Sequence, residues 1–407
     1  MTATAPSHLS NLATSAAVRA IQAYATQNGA FRQLLESSLR QARERGATGL
    51  DRDLFDALDW PVDLAGYVHY LEEFLRWVPV QSNLPAWRGG NGSQEVYDRL
   101  CHSYFLIDQD TTGDGTTVQD DPVFSELLDV YSNAWGDFLN TPDSFSEEMW
   151  RSYLNYSPEF RVQDSLIDGR PNRPGGWTTF NQFFARALNP GLRPIASPGD
   201  NRVVTTPADC TYRNQFPIQA DSSVQTVTLK QTHTFGTIPE LLAGSPYADA
   251  FAGGTFVHYF LGPYSYHRFH TPVAGTVRDA RAVHGLTYLE VNLKNWQFDA
   301  PDTSTGGYEF RQARGILVID TANSPAGDVG LVAIVPVGMC EVSSVHMVEF
   351  GADQYVEKGT EFGHFEFGGS DIIVLFQEGV LPQGGINTCG DYRYYGTAMS
   401  ECPDSAK

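Results

Sequence analysis

The 407-residue sequence has little positive charge. It carries 27 lysines and arginines against 48 aspartates and glutamates, which gives a formal net charge of −21. A surplus of negative charge opposes general electrostatic binding to nucleic acid or to an anionic membrane. We therefore expect no nucleic-acid partner and no stable membrane association.

The sequence also lacks long apolar runs. The longest, LVAIVPVGM at residues 331–339, is far shorter than the roughly 20 residues that a membrane-spanning helix needs. The N-terminal segment, MTATAPSHLSNLATSAAVRA, has neither the basic nor the apolar region of a signal peptide. These two absences predict a soluble, cytoplasmic protein.

Cysteine is scarce as well. The sequence has five cysteines at irregular spacing and no C-x-x-C pair: Cys101, Cys210, Cys340, Cys389 and Cys402. An odd number without a regular pattern is not typical of a disulfide framework or a zinc site. We therefore expect reduced thiols with mostly structural roles.

The N-terminal part of the sequence is predicted to be helical. Three stretches place apolar residues at helical spacing: residues 31–46, 63–77 and 122–139. The first of them ends at Gly46, which predicts a helix stop at that residue. The Gly/Pro-rich stretch DGRPNRPGGW, at residues 168–177, is typical of a linker.

From about residue 203 the pattern becomes that of β-strands. Short runs rich in β-branched residues occur at residues 254–262, 275–283, 315–320, 329–338 and 371–376. Glycine turns in residues 272–277 and 356–367 favour a sandwich or barrel of bent strands. We therefore predict an α+β fold, with a helical region at residues 1–165 and a β-rich domain at residues 175–407.

One acidic loop, at residues 110–121, partly matches a calcium-binding loop. Its closing position holds Asp121 instead of a bidentate Glu, and Thr112 replaces an expected acid or amide. Because the ligand set is incomplete, we interpret the loop as a solvated surface loop. We predict no metal site in this protein.

Two histidines precede a proline turn in YHRFHTP, at residues 266–272. His267 and His270 lack a third metal ligand nearby, so each is either a packed histidine or a base. Arg268 between them would keep the imidazoles neutral, which suits a base. Asp209 in TPADC is by itself a turn residue. With a histidine and a serine it would complete a set of nucleophile, base and orienting acid.

The serine that such a set needs is Ser370, in FGGSDIIVLF at residues 367–376. This stretch departs from the G-x-S-x-G turn of serine hydrolases, which disfavours ordinary acyl transfer. The two preceding glycines remove side chains from the peptide bond between Gly369 and Ser370. An attack by Ser370 Oγ on the Gly369 carbonyl requires that crowded geometry, and a strained turn would favour it.

Five segments together resemble the phosphatidylserine decarboxylase family in order and spacing. They are residues 180–195, 205–210, 260–277, 337–345 and 358–370. The resemblance covers roughly residues 175–380, and five linked motifs are more specific than any one of them. It implies a pyruvoyl-dependent decarboxylase, a carboxy-lyase whose catalytic domain is the predicted β-rich domain at residues 175–407.

The resemblance also implies how the cofactor is made. His270, oriented by Asp209, deprotonates Ser370. The serine then attacks the Gly369 carbonyl, and the chain separates between Gly369 and Ser370 into an α and a β chain of one precursor. Whether the protein also forms a homo-oligomer is left open by the sequence.

In the decarboxylation that the resemblance implies, Ser370 has become the pyruvoyl group. A substrate amine forms a Schiff base with its carbonyl, which accepts the electrons released with CO2. His267 is the residue that handles a proton on the substrate side. No metal takes part in this scheme.

Two positions depart from the family pattern. Asp371 stands where the family has Thr or Ser, so its carboxylate is a candidate for contact with the substrate ammonium or carboxylate, and it could perturb self-cleavage. Cys210 follows Asp209 where the family usually has Gly, so the turn there is expected to differ. Neither position removes a member of the predicted set.

The predicted substrate is a free L-amino acid, with an aromatic one as first choice. The helical N-terminal region followed by the decarboxylase core resembles the soluble fungal branch of the family, which includes an L-tryptophan decarboxylase. The net charge of −21 opposes docking on anionic lipid. The first alternative is phosphatidylserine, decarboxylated to phosphatidylethanolamine. Two further alternatives are an uncleaved, non-catalytic binding protein, supported by Asp371, and a carrier-like β-sandwich, which lacks a lysine at a hairpin tip.

Overall fold

The chain forms two compact units that combine helices and sheets. In this computed structural model, the described residues are 7–89, 92–224, 236–300, 310–338, 345–368, 370–380 and 390–401. The first unit comprises residues 1–183 and 286–301, and the second comprises residues 184–285 and 302–407. The predicted α+β class is confirmed.

Helices dominate the first unit. The α-helices of the described residues are α1 (Ser7–Gln27), α2 (Gly29–Gly49), α3 (Arg52–Asp56), α4 (Leu64–Phe74), α5 (Glu95–Phe105), α6 (Pro122–Leu139), α7 (Glu147–Tyr156), α8 (Phe180–Phe184) and α9 (Ile238–Leu241). Short 3-10 helices lie at Pro85–Trp87, Val118–Asp120, Pro142–Ser144, Pro158–Phe160, Val162–Ser165 and Ala248–Phe251. Within these described ranges, none of the helices has the length and apolar composition needed to cross a membrane.

Strands dominate the second unit. The strands of the described residues are β1 (Arg88–Gly89), β2 (Gly92–Ser93), β3 (Leu166–Ile167), β4 (Arg170–Pro171), β5 (Val203–Thr205), β6 (Cys210–Pro217), β7 (Thr255–Leu261), β8 (Arg268–His270), β9 (Gly275–Val283), β10 (Asn292–Lys294), β11 (Gln297–Asp299), β12 (Arg314–Asp320), β13 (Leu331–Gly338), β14 (Val345–Met347), β15 (Tyr355–Val356), β16 (Glu361–Phe365), β17 (Ser370–Phe376), β18 (Tyr392–Arg393) and β19 (Ala398–Glu401).

Helix α6 has the limits that the sequence predicts. Pro122 occupies its first turn, where a missing backbone N–H is not needed. The Asp121 carboxylate caps the helix by accepting hydrogen bonds from the N–H groups of Val123 and Phe124. This local chemistry is why the predicted and observed starts coincide.

The predicted stop of helix α2 at Gly46 is wrong, because the helix continues to Gly49. Gly46 is buried inside the helix, where an added Cβ would lie only 2.5 Å from the indole ring of Trp60. The glycine therefore permits close packing on Trp60 and does not end the helix. A contact with a distant residue cannot be recognised from the helix sequence alone.

The acidic loop at residues 110–121 uses its carboxylates on its own backbone. Asp110 accepts hydrogen bonds from the N–H groups of Gly113 and Gly115. Asp114 accepts one from Thr116 N–H. These are loop-stabilising contacts of the kind that Asp commonly makes in turns.

A β-hairpin from the middle of the sequence belongs to the first unit. Strands β10 and β11 pair antiparallel within residues 286–301. The N–H of Asp51 donates a 2.8 Å hydrogen bond to the carbonyl of Trp296 in the hairpin turn. The sequence predicts a single β-rich domain at residues 175–407, whereas this hairpin is grouped with the helices.

The second unit contains an eight-stranded antiparallel sheet. Its strand order is β15-β9-β12-β13-β17-β7-β6-β18, and a smaller sheet has the order β14-β16-β8. Among the described residues, the outer strands β15 and β18 do not pair with each other, so the sheet is open and the barrel alternative is not realised. The two central strands, β13 and β17, are almost entirely buried.

The two faces of the sheet carry separate apolar cores. Ile372 and Val374 belong to one cluster, whereas Ile373 and Leu375 belong to the other. This alternation is that of a strand covered on both faces. It fixes which way each side chain at the start of β17 can point, and this determines the geometry of the site.

Candidate active site

Ser370 is the first residue of β17 and lies in the middle of the sheet. It pairs with Gly338 of β13 on one side and with Leu261 of β7 on the other. The residue is fully buried, and its Oγ forms no hydrogen bond with a described residue. Before it, Gly368 has φ +154°, a value that favours glycine, and Gly369 lies outside the described residues.

Asp371 points to the opposite face of the sheet from Ser370, because successive residues of a strand alternate. Its Oδ1 lies 3.3 Å from His258 Nε2 of β7, and both side chains are fully buried. This placement gives no support to the expectation that Asp371 contacts a substrate beside the serine. Asp371 therefore lies against a buried histidine of the neighbouring strand β7.

We predict that Asp371→Ala lowers stability and leaves substrate affinity unchanged. The substitution removes the carboxylate next to a fully buried imidazole, which should cost about 2 kcal/mol in the free energy of unfolding. Denaturant unfolding and KM measure the two effects. Asp353→Ala is the matched control, since Asp353 forms an exposed ion pair with Arg278 in the same unit. A changed KM with unchanged stability would return Asp371 to the substrate site.

His270 lies in β8 with both ring nitrogens engaged. Nδ1 lies 3.0 Å from the Gly359 carbonyl oxygen, which can only accept, so Nδ1 carries the proton. Nε2 therefore accepts a hydrogen bond from the Tyr266 hydroxyl at 3.2 Å. The ring stacks on Tyr395 with 3.9 Å between centroids. Nε2 is the atom of His270 that can act as a base.

Burial lowers the pKa of His270 to about 4, although its contact with Gly359 partly offsets this effect. The nearby cation of Arg268 lowers the pKa further, in the direction that the sequence predicts. His270 is therefore neutral at physiological pH. A neutral imidazole with a fixed tautomer is suited to accept a proton from a serine.

Asp209 reaches His270 through Tyr395. Its carboxylate binds the Arg193 guanidinium, with Nη2 to Oδ2 at 2.6 Å, and both side chains are almost completely buried. Oδ1 also accepts a 2.9 Å hydrogen bond from the N–H of Tyr395, whose ring covers His270. The hydrogen bonds that orient His270 come from Gly359 and Tyr266. Asp209 holds the aromatic residue that packs on the imidazole.

His267 lies just before β8 in an aromatic environment. Its ring stacks on Phe184 at 4.0 Å and faces the edge of Phe365 at 6.5 Å. Neither ring nitrogen has a well-formed hydrogen bond to a described residue. Burial lowers the pKa of His267 to about 3, and the Arg186 guanidinium adds to this effect, while the nearby backbone of Ser265 opposes it.

The contacts join His267 to the chain leading into Ser370. Phe184, which stacks on His267, also makes an edge-to-face contact with Phe367 at 5.0 Å. Neither His267 nor His270 is hydrogen bonded to Ser370 Oγ. The structure therefore places the serine and both histidines in one unit.

Sequence reasoning missed several members of this site. Tyr266 and Arg193 lie inside segments that carry the family resemblance. Their position in these segments is the feature of the sequence that could have identified them. Tyr395 lies in the aromatic stretch YRYYG near the end of the chain and gave no signal. It meets Asp209 across 186 positions of sequence, which no local pattern records.

A buried serine hydroxyl with no hydrogen-bond partner among the described residues thus lies in the same unit as two neutral histidines, and a neutral histidine can accept a proton from a serine. The sequence pattern of the phosphatidylserine decarboxylase family matches residues 180–389, slightly more than half of the chain. The chain belongs to this family. It is thereby a decarboxylase, a carboxy-lyase, as the sequence predicts.

Three relatives illustrate the similarity. Decarboxylase iboD of Amanita muscaria is 28% identical over 278 residues, covering 63% of this chain and 77% of that protein. Phosphatidylserine decarboxylase proenzyme 2 of Oryza sativa is 29% identical over 272 residues, covering 66% and 39%. The phosphatidylserine decarboxylase proenzyme of Chlamydia trachomatis is 34% identical over 202 residues, covering 49% and 60%. The matches thus span less than two thirds of the latter two proteins.

Proenzymes of this family use a pyruvoyl group that they generate from their own chain. Ser370 fits this requirement, because its buried Oγ has no hydrogen-bond partner among the described residues. Ser370 is the first residue of β17, which pairs with β13 on one side and with β7 on the other. A pyruvoyl group formed from Ser370 would therefore lie at the start of a strand that is paired on both sides. The predicted cofactor therefore agrees with the site.

Proposed function

We propose that this chain cleaves itself between Gly369 and Ser370 and then decarboxylates a free L-amino acid, with an aromatic one as first choice. The observation that carries the proposal is the state of Ser370 in a member of this family: it is fully buried at the head of a central strand, and its Oγ has no hydrogen-bond partner among the described residues. A buried hydroxyl without a partner reduces stability. A catalytic role is one of the explanations for such a group in a folded protein.

In the proposed cleavage, Ser370 Oγ attacks the Gly369 carbonyl and its proton passes to Nε2 of His270. Before cleavage, His270 Nε2 accepts a hydrogen bond from the Tyr266 hydroxyl. This hydrogen bond breaks when Nε2 accepts the proton of Ser370 Oγ. The peptide nitrogen leaves and an ester joins the two residues. Loss of a proton from Ser370 Cα breaks the Cβ–Oγ bond, leaving a carboxylate on Gly369. Water then adds at the former Ser370 Cα, which becomes the carbonyl carbon of the pyruvoyl group, and the nitrogen leaves as ammonia.

His267 has a separate role in the proposal, after the chain has been cleaved. A pyruvoyl group supplies a carbonyl that reacts with a substrate amine and draws off the electrons released with CO2. The His267 ring stacks on Phe184, is fully buried and is neutral at physiological pH. It is therefore suited to hold or deliver a proton at the reacting carbon.

We predict that self-cleavage keeps its full rate well below pH 6.5. A base acts in its unprotonated form, and the folded pKa of His270 is about 4, below the 6.5 of an ordinary histidine. The cleavage rate should therefore be flat between pH 8 and about 5 and fall only on approach to pH 4. Newly synthesised chain from a cell-free system, transferred into buffers across this range, provides the rates. A half-maximal rate near pH 6.5 would contradict the assignment.

Two features favour a soluble amino acid as substrate. The net charge of −21 opposes docking of the chain on an anionic lipid surface. The Amanita relative, of which the chain covers 77%, is named a decarboxylase, and its name does not include phosphatidylserine. Phosphatidylserine is the second candidate, because the Oryza and Chlamydia relatives are named phosphatidylserine decarboxylase proenzymes.

A substrate comparison tests this proposal. Purified chain is given each free L-amino acid, or vesicles containing phosphatidylserine, and CO2 and amine products are measured. The Ser370→Ala chain serves as the inactive control in every reaction. Turnover of free amino acids alone supports the proposal, and turnover of vesicles alone assigns the phospholipid. An uncleaved chain without turnover on either would favour a non-catalytic binding protein.

A further inference from the structure

A second group of chemically active side chains lies on the three-stranded sheet of the second unit. His346 in β14, His364 in β16 and Glu366 each contribute one ligand atom, and these atoms lie within 4.8 Å of one another. His346 Nε2 is 3.3 Å from Glu366 Oε1. In the described part of the chain, this is the one group of three His, Cys, Asp or Glu residues with such spacing.

Strand pairing holds the three residues together. His346 and His364 are directly opposite each other in the antiparallel pair β14–β16, and their rings stack with 4.8 Å between centroids. Glu366 follows His364 by two positions and so lies on the same side of the chain. Phe365 between them is buried in the apolar core, which fixes the outward direction of its neighbours.

A positive charge close to this cluster is already paired with a carboxylate. Arg268 is opposite His364 on the other neighbouring strand, β8. Its guanidinium is neutralised by Glu361, with Nη1 to Oε1 at 2.5 Å, and its Nε donates to the Ala185 carbonyl. Because the whole chain carries a net charge of −21, its long-range field attracts cations.

We propose that His346, His364 and Glu366 bind a zinc ion. Two imidazoles and one carboxylate form a three-ligand zinc set, which leaves a fourth position for water. Magnesium and calcium instead prefer sites made of oxygen ligands. This site departs from the prediction of no metal, because the two histidines are far apart in sequence and meet only through strand pairing.

Zinc binding requires the ligand atoms, which lie within 4.8 Å of one another, to move closer together. Zinc bonds of 2.0–2.1 Å place tetrahedral ligand atoms about 3.3 Å apart. The distance from His346 Nε2 to Glu366 Oε1 already has this value. The His346 side chain is 48% exposed, so rotation of this ring can bring the remaining ligand atoms together without disturbing the core.

Bound zinc would tie β14 to the chain that leads into Ser370, since Glu366 precedes the serine by four residues. A ligand that binds only the folded state stabilises it, and 100-fold excess over Kd should raise Tm by about 5 °C. The site does not require cleavage. Wild-type chain and the Ser370→Ala chain should therefore bind zinc equally, which separates this proposal from the proposed decarboxylase reaction.

Zinc titration of tag-free, metal-stripped protein against a chromogenic zinc indicator tests the site. We expect one zinc per chain with a Kd of about 10 µM or below, and no competition from millimolar magnesium. His364→Ala and His346→Ala should each weaken binding at least about tenfold, and Glu366→Gln should also weaken it. His284→Ala is the matched control, because His284 is an exposed histidine of the same unit outside the cluster.

Circular dichroism verifies that each variant is folded, and anomalous scattering at the zinc edge locates the ion in crystals. An anomalous peak between His346 and His364 supports the proposal. Undiminished one-to-one binding by a folded His346→Ala, His364→Ala double variant would overturn it. So would the absence of stoichiometric binding by the wild-type chain at 100 µM zinc.

Discussion

A chain carrying His270→Gln is expected to remain a single species of 44.9 kDa. The substitution removes the neutral Nε2 that is proposed to take the proton of Ser370. Glutamine retains a polar side chain that can approach the Gly359 carbonyl and the Tyr266 hydroxyl, the partners of the native ring. Intact-mass measurement of the purified chain gives the extent of cleavage directly.

The control for this experiment is His284→Gln, which changes an exposed histidine of the same unit and should cleave fully. Thermal unfolding establishes that the His270 variant has kept its fold. If a folded His270→Gln chain separates into two fragments as fast as the wild-type chain, the base lies elsewhere. His267 would then be the next candidate, because its ring nitrogens have no well-formed hydrogen bond to a described residue.

Substitution of His267 by phenylalanine is expected to have the opposite pattern: normal cleavage with a loss of turnover. Phenylalanine keeps the stacking on Phe184 but removes both ring nitrogens. Loss of a group that transfers a proton in the reaction typically lowers kcat by about 10²–10⁴-fold. Turnover is measured on the substrate found in the screen and divided by the pyruvoyl content from titration with a carbonyl reagent.

The His267 result is informative in both directions. A chain that cleaves and keeps its turnover per pyruvoyl would remove His267 from the proposed reaction. A chain that does not cleave would make His267 part of maturation. The comparison with His270 is useful because both histidines are buried and neutral in the same unit, and they differ in their neighbours: the Tyr266 hydroxyl and the Gly359 carbonyl contact His270, whereas the Phe184 ring stacks on His267.

The elements of the fold that local chemistry specifies could be predicted from the sequence. The Asp121–Pro122 start of α6 and the β-branched runs of β12, β13 and β17 are of this kind. The end of α2 was mispredicted because Gly46 packs on Trp60, a contact made by tertiary structure. The grouping of residues 286–301 with the helical unit likewise depends on contacts that no local pattern records.

The candidate site shows the same difference between local and long-range information. The motif segments of the sequence predict four of its residues: Ser370, His267, His270 and Asp209. The direction of Asp371 depends on the alternation of β17, and its contact with His258 depends on the register between β17 and β7. Strand register is set by the packing of the whole sheet. The sequence therefore does not predict that Asp371 lies beside His258, and the contact of Asp371 with substrate stays a prediction.

The intact mass of the wild-type chain tests the central claim most directly. The account predicts two fragments, residues 1–369 and 370–407, with the N-terminus of the smaller one blocked to sequencing and modified by hydroxylamine. Ser370→Ala should return the mass to a single species of 44.9 kDa. A wild-type chain that stays intact at 44.9 kDa and does not react with hydroxylamine would contradict the account.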